Sequence, residues 1–321
     1  MDQILTANEV FARDVSNGLE NKPKFLSSKY FYNERGDQLF QKIMELEEYY
    51  LTRAEYAIFE RHKEHLHQLA SPNGEAFRLV EFGAGDGYKT KVLLRHLVEQ
   101  KANFTYQPID ISSHVLEELE TALDTELPGC SVDSVCADYF EAIAEISARD
   151  TTRKMVFFLG SNIGNFYDEQ AQDFLRQLHS HLHSGDRVLI GFDQQKDPKR
   201  ILAAYNDREG VTREFNLNLL DRINEELGGN FDREQFTHWP TYDPQTGECK
   251  SYLLSKKAQV VYLEAVDRTF HFDAWEPIYM EMSRKFNRRQ MEQLAKVCGF
   301  KVLEHLTDPA GDFVDSVWER L

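Results

Sequence analysis

Along residues 77 to 192, short runs of apolar and β-branched residues alternate with stretches whose apolar positions recur at helical spacing. Strands are predicted near 78–83, 104–109, 131–136, 155–160 and 187–193, with helices between them. That alternation predicts a parallel sheet covered on both faces. A helix over 288–298 precedes two more strand-like runs, 300–306 and Phe313–Arg320, which would complete the sheet at the C-terminus. The stretch from about 196 to 285 has a different texture. It opens with helical patterns at 201–205 and Val211–Leu227 and continues as alternating runs at 251–254, Gln259–Leu263 and Arg268–Phe272. The predicted class is α/β with two domains: residues 60–195 plus 286–321 carry the sheet, and residues 1–59 plus 196–285 form a second, α+β domain.

The first strand breaks into a glycine-rich turn, Phe82-Gly83-Ala84-Gly85-Asp86-Gly87-Tyr88-Lys89-Thr90, and a helix follows. Such a turn lets a large charged ligand lie against backbone N–H groups, and it stands at the carboxyl end of a strand, where open α/β sheets bind ligands. A phosphate-cradling loop needs Gly directly before the Lys-Thr pair, where this chain has Tyr88. A dinucleotide fingerprint needs its third Gly at the same position, where close helix packing excludes a side chain. What remains is an acid, Glu81, two places before G-x-G-x-G, a pattern that resembles motif I of the class I S-adenosylmethionine-dependent methyltransferases. A turn with no ligand is the alternative.

Two further acids support a nucleoside ligand. Asp110 ends the second predicted strand, where a carboxylate can accept hydrogen bonds from both ribose hydroxyls; Asp110 or Ser112 can equally cap the next helix, and the two roles are compatible. Asp138 and Tyr139 end the third strand, an acid and an aromatic suited to an adenine amino group and ring.

Charge and composition narrow the partners. With 37 Lys plus Arg against 54 Asp plus Glu, the formal net charge is -17, which disfavours nucleic acid and anionic membranes and points to a small-molecule substrate. No apolar run is long enough to span a bilayer and the N-terminus lacks the pattern of a signal peptide, so a cytoplasmic protein, monomeric, is expected. Cys130, Cys136, Cys249 and Cys298 show neither C-x-x-C spacing nor a pairing pattern. His179 and His183 have a spacing that can hold zinc, but Gly185 marks a helix end where histidines are favoured anyway, so no metal is expected.

The fourth strand ends in Gly160-Ser161-Asn162-Ile163-Gly164-Asn165, facing the same crevice as the glycine loop in such a sheet. Asn165 offers a donor and an acceptor together, suited to the carboxylate and amine of an amino acid; a turn whose amides serve only the backbone is the alternative. Together with Lys29-Tyr30-Phe31-Tyr32, Gly36-Asp37-Gln38-Leu39-Phe40, Glu48-Tyr49-Tyr50-Leu51-Thr52-Arg53-Ala54-Glu55, Ala204-Tyr205-Asn206-Asp207 and Glu281-Met282-Ser283-Arg284-Lys285-Phe286, these motifs resemble the histidine-specific Nα-methyltransferases of ergothioneine biosynthesis. The similarity runs from about residue 23 to Phe313.

The resemblance implies a Rossmann-like class I methyltransferase sheet with a substrate-binding domain, S-adenosylmethionine as cofactor, and methylation of the α-amine of L-histidine, up to the trimethylated product hercynine. It implies that Tyr32, Gly83, Lys89, Asp110, Asp138 and Tyr139 hold the cofactor. Contacts to the amino acid's carboxylate and amine fall on Gly160, Asn165 and Tyr205, and contacts to the imidazole on Tyr49, Glu281 and Ser283. Tyr32, Asn165 and Tyr205 are the catalytic candidates. The chain departs from the family pattern at Ser251, where the best-known members have a Met against the imidazole, and at Tyr139, where Phe is usual. Methylation of another amino acid or small amine, and cofactor binding without catalysis, are the competing readings.

Overall fold

The computed structural model describes residues 6–149 and 151–321. In chain order the elements are α1 (Ala7–Glu20), β1 (Lys24–Phe25), α2 (Glu34–Glu45), α3 (Leu51–Ala70), β2 (Phe77–Phe82), α4 (Thr90–Glu99), β3 (Phe104–Asp110), α5 (Ser113–Glu126), β4 (Val135–Cys136), α6 (Tyr139–Arg149), β5 (Arg153–Phe158), α7 (Asp168–His181) and β6 (Arg187–Asp193). They continue with α8 (Pro198–Tyr205), α9 (Val211–Leu227), β7 (Phe236–Asp243), β8 (Glu248–Ser255), β9 (Gln259–Leu263), β10 (Arg268–Phe272), β11 (Pro277–Arg284), α10 (Arg288–Val297), β12 (Phe300–Thr307) and β13 (Phe313–Arg320).

The chain divides into two compact units. One comprises Leu51–Gln195 and Arg284–Leu321; the other runs up to Tyr50 and resumes over Lys196–Ser283. The first is built on a seven-stranded sheet in the order β12-β13-β6-β5-β2-β3-β4, the expected Rossmann-like arrangement. β2 pairs in parallel with β3 on one side and with β5 on the other, and β13 runs antiparallel between β6 and β12. Because the chain steps one way from β2 through β3 to β4 and then returns to lay β5 on the other side of β2, the winding reverses between β2 and β5, and a crevice opens beyond their carboxyl ends. Val80, Phe82, Val156, Phe158, Val188 and Ile190 share one continuous core, which explains the uninterrupted apolar runs.

The unit boundary falls at Tyr50/Leu51, nine residues before the expected division at 59/60. The reason is α3, whose buried stripe of Ala54, Glu55, Ile58, Phe59, Leu66 and Ala70 recurs at helical spacing and carries 51–59 with the sheet. Phe59 meets Phe157 of β5 edge to face, with ring centroids 5.7 Å apart.

The second unit has a four-stranded sheet, β1-β11-β8-β7, and the hairpin of β9 and β10. Its core joins Phe11, Val15 and Leu19 of α1 to Phe215, Leu219 and Ile223 of α9 and to Ile278 and Met280 of β11. β7 was not legible in the sequence because Pro240 interrupts it; the strand lies at the sheet edge, where a missing N–H is tolerated. β4 is shorter than expected, a two-residue strand with one isolated bridge from Val132 to Tyr106.

Phe59 is fully buried, so Phe59→Ala is expected to destabilise the sheet unit by about 3–5 kcal/mol, measured by urea unfolding.

Candidate active site

The glycine loop is shaped by backbone that other residues resist. Gly83 and Gly87 have φ of +67° and +65°; a Cβ at Gly83 would lie 2.8 Å from the Tyr139 hydroxyl, and one at Gly87 2.8 Å from Cδ1 of Leu119. The N–H of Gly83 donates to the carbonyl of Ile109 at 2.9 Å, fixing the loop beside the end of β3. Glu81 does not face the loop cavity. Its carboxyl is buried and accepts from Thr90 Oγ1 at 2.8 Å and from the Tyr106 hydroxyl at 2.6 Å, so the acid of the motif ties the end of β2 to the first residue of α4. Burial pushes the Glu81 carboxyl up to about 7, against the two hydrogen bonds.

Asp110, Asp138 and Tyr139 stand together at the ends of β3 and β4. Oδ1 of Asp110 accepts from the Ser112 N–H at 3.0 Å, and Oδ1 of Asp138 from the Phe140 N–H at 2.9 Å. Each acid therefore caps local backbone through one oxygen, while the other makes no hydrogen bond among the described residues. The Tyr139 phenol is pushed up to about 12, first by burial and then by the charges of Asp110 and Asp138, and its ring stacks on Phe82 at 4.8 Å. These observations fit an adenosine group: a cradle that a Cβ would fill, two carboxylates with an oxygen to spare, and an aromatic beside them.

Lys89 and Gly160 share a partner that the sequence reading missed. Glu55, on the buried stripe of α3, pairs through Oε2 with the Lys89 ammonium, and its two oxygens accept from the Gly160 N–H at 2.9 and 3.0 Å. The Gly160 N–H is thereby occupied. The sequence signal was present: Glu55 interrupts an otherwise apolar stripe. Asn165 ends the short 3-10 turn Asn162–Asn165 with its side chain exposed. The turn is held by Ser161, at φ +58°, whose Oγ accepts from the Asp193 N–H at 3.0 Å, and by Gly164, where a Cβ would meet the Arg284 carbonyl at 2.7 Å.

The remaining expected residues belong to the second unit. Tyr32 packs edge-on to Phe40 and Phe215, both at 5.7 Å, and Phe40 meets Tyr49 at 6.4 Å. Desolvation, then the carboxylates of Glu281 and Asp37, hold the Tyr32 phenol above its usual range although 50% of the residue is exposed, so Tyr32 stays protonated near neutral pH. Tyr32, Tyr49 and Glu281 are thus brought to one region of that unit. Glu281 and Ser283 lie two apart on β11, alternating with buried Met280 and Met282, and share a face of the strand. Tyr205 is buried at the end of α8. Ser251 is buried on β8, and its hydroxyl lies 3.4 Å from Nε2 of His238, whose imidazole burial pushes down to about 4. His179 packs edge-on to Phe300 at 5.2 Å and His183 Nδ1 lies 3.1 Å from the Lys154 ammonium; among the described residues no group of three or more His, Cys, Asp or Glu is placed to hold a metal.

The model of the histidine-specific, S-adenosylmethionine-dependent methyltransferases matches residues 11–320. The chain belongs to that family. It is 35% identical over 308 residues to the histidine N-alpha-methyltransferase of Mycolicibacterium smegmatis, covering 96% of this chain and 94% of the relative. It is 36% identical over 301 residues to that of Mycobacterium tuberculosis, covering 94% and 92%. An N-methyltransferase of Aspergillus flavus is 30% identical, over 96% of this chain and 85% of its own length. S-adenosylmethionine is therefore the cofactor of this family member. No helix among the described residues is long and apolar enough to cross a membrane.

Because Glu81 carries its proton to higher pH when folded than when unfolded, its contribution changes sign in the direction opposite to an ordinary ion-paired acid. Below about 4.5 it is neutral in both states; between about 4.5 and 7 only the unfolded chain releases the proton, so stability falls as pH rises. Glu81→Gln removes this term, and its stability relative to the parent chain is expected to rise by on the order of 3 kcal/mol between pH 4 and pH 8, read by urea midpoints.

Proposed function

We propose that this protein transfers methyl groups from S-adenosylmethionine to the α-amine of L-histidine, three in succession, giving hercynine. The observation that carries the reading is the match to the histidine-specific family over residues 11–320, with the polar residues of its motifs present. S-adenosylmethionine, when bound, supplies a methyl group already activated on a sulfonium.

The residues of this chain then have to bind, orient and keep water out. Gly83 gives close backbone approach, Asp110 takes the ribose hydroxyls, Asp138 and Tyr139 the adenine, and Lys89 the carboxylate of the donor's amino-acid portion, with Tyr32 as a further contact. Asn165 and Tyr205 hold the acceptor's carboxylate and amine, with the Gly160 carbonyl accepting from the amine. Tyr49, Glu281 and Ser283 recognise the imidazole. A carboxylate and a hydroxyl on one strand face suit the two ring nitrogens, one donating and one accepting.

Nucleophilic attack needs a neutral amine, and an α-amine has a pKa of about 8 or higher. Tyr32, with its phenol held protonated, serves as a hydrogen-bonding group rather than as a resident base. Proton loss to solvent before attack is enough near that pH, and methylation should speed up as pH rises towards the amine's own pKa. Ser251 is engaged with His238 in the interior of its unit, so its departure from the family pattern does not argue for another acceptor.

Asn165→Ala is expected to weaken histidine binding far more than donor binding, by calorimetry; unchanged histidine affinity would remove Asn165 from the site. Glu281→Gln is expected to weaken histidine binding by roughly ten- to a hundredfold, the scale of a lost charge-assisted hydrogen bond. Incubation with S-adenosylmethionine and twenty amino acids, read by mass spectrometry, tests the substrate directly. Gains of one, two and three methyls on histidine alone are expected; methyls on another amino acid with histidine unmodified would overturn the assignment.

A further inference from the structure

Glu55 presents an anomaly that the proposed chemistry does not use. It is 1% exposed on the apolar stripe of α3, where a carboxylate is costly unless paired. The surroundings are built to receive it. Lys89 reaches it from the glycine loop, the Gly160 N–H reaches both oxygens from the end of β5, and residue 191 of β6 is a glycine beneath it: a Cβ there would lie 2.3 Å from Oε1. Asp315 of β13, paired in register with Gly191, is fully buried, and its carboxyl is raised well above the usual range by burial and then by the Glu55 charge. The Asp315 carboxyl therefore favours its protonated form beside Glu55. Burial alone would lower the Lys89 pKa, and Glu55 more than offsets that, so the ammonium is retained.

We propose that Glu55 is a positioning residue for donor binding: its carboxylate fixes the Lys89 ammonium at the glycine loop and the Gly160 peptide at the end of β5 in one arrangement, so that the donor's carboxylate meets a cation already in place. A lysine side chain left to itself samples many rotamers, and ordering it would be charged against ligand affinity. Glu55 orders it in advance, with an ion pair for which neither neighbour alone would suffice. The same carboxylate determines which Gly160 group faces the acceptor, since it occupies the N–H and leaves the carbonyl. The inference rests on the assignment of Lys89 to the donor's carboxylate.

The test is a double-mutant cycle on the full chain, read by calorimetry with S-adenosylhomocysteine. Glu55→Gln, nearly isosteric and still able to accept from Gly160, is expected to weaken binding at least tenfold, and to change it less than twofold when added to Lys89→Met. An effect of Glu55→Gln below twofold in the parent chain, or one that persists in full in the Lys89→Met background, overturns the proposal. If Lys89→Met alone leaves affinity within twofold, the donor assignment of Lys89 fails, and the proposal with it; if Lys89→Met weakens binding and Glu55→Gln does not, only the proposal fails. Should Glu55→Gln not fold, Gly191→Ala displaces the Glu55 carboxylate without altering any charge. It is expected to weaken binding at least fivefold, and binding within twofold of the parent chain overturns the proposal.

Discussion

The sheet unit's share of the proposed donor site depends on the parallel pairing of β2 with β3 on one side and β5 on the other. A strand flanked in this way leaves its carboxyl end uncovered, because the connections on its two sides run in opposite directions across the sheet. The glycine loop leaves β2 there, Asp110 ends β3, and Gly160 follows β5. The sheet fixes those positions through backbone hydrogen bonds and a continuous apolar core, and the loops need only shape themselves around the ligand. The left-handed glycines do that shaping, and Gly83 most directly, since the space its missing Cβ would fill lies beside the Tyr139 hydroxyl.

Two buried acids flank the loop, and their environments give them different partners. Glu81 accepts from two hydroxyls, and burial outweighs them, so its carboxyl rises to about 7; it serves as a tether for Thr90 and Tyr106. Glu55 has an ammonium and a backbone N–H as partners, with the Asp315 carboxyl, raised by burial, behind it. The same side chain type thus fastens the loop at one end and orders its cation at the other. Which role each takes is decided by the partners that the fold brings to it, not by local sequence.

The central sheet was legible because strands buried on both faces must be apolar throughout, and the glycine loop because its spacing excludes the other phosphate-binding turns. β7 was hidden by Pro240, a residue that argues against a strand except at an edge, and edge position is a property of the sheet rather than of the strand. The unit boundary was misplaced because α3 continues without a break through 51–59, and nothing local marks which unit its stripe packs on. The places of Asp110 and Asp138 at strand ends were legible from the runs that precede them. Glu55 gave no signal of its own role, since an acid in a helix ordinarily points to solvent; its neighbours Lys89, Gly160 and Asp315 are distant in sequence and meet only in the folded sheet unit.

Hydrogen–deuterium exchange of the full chain with and without S-adenosylhomocysteine tests most directly whether the strand ends of β2, β3 and β4 form the donor site. The account predicts added protection at residues 83–90, 110–113 and 138–140, with little change along α7 and α10. Binding that leaves those three segments unprotected, or protects another region of the sheet unit in their place, would contradict it.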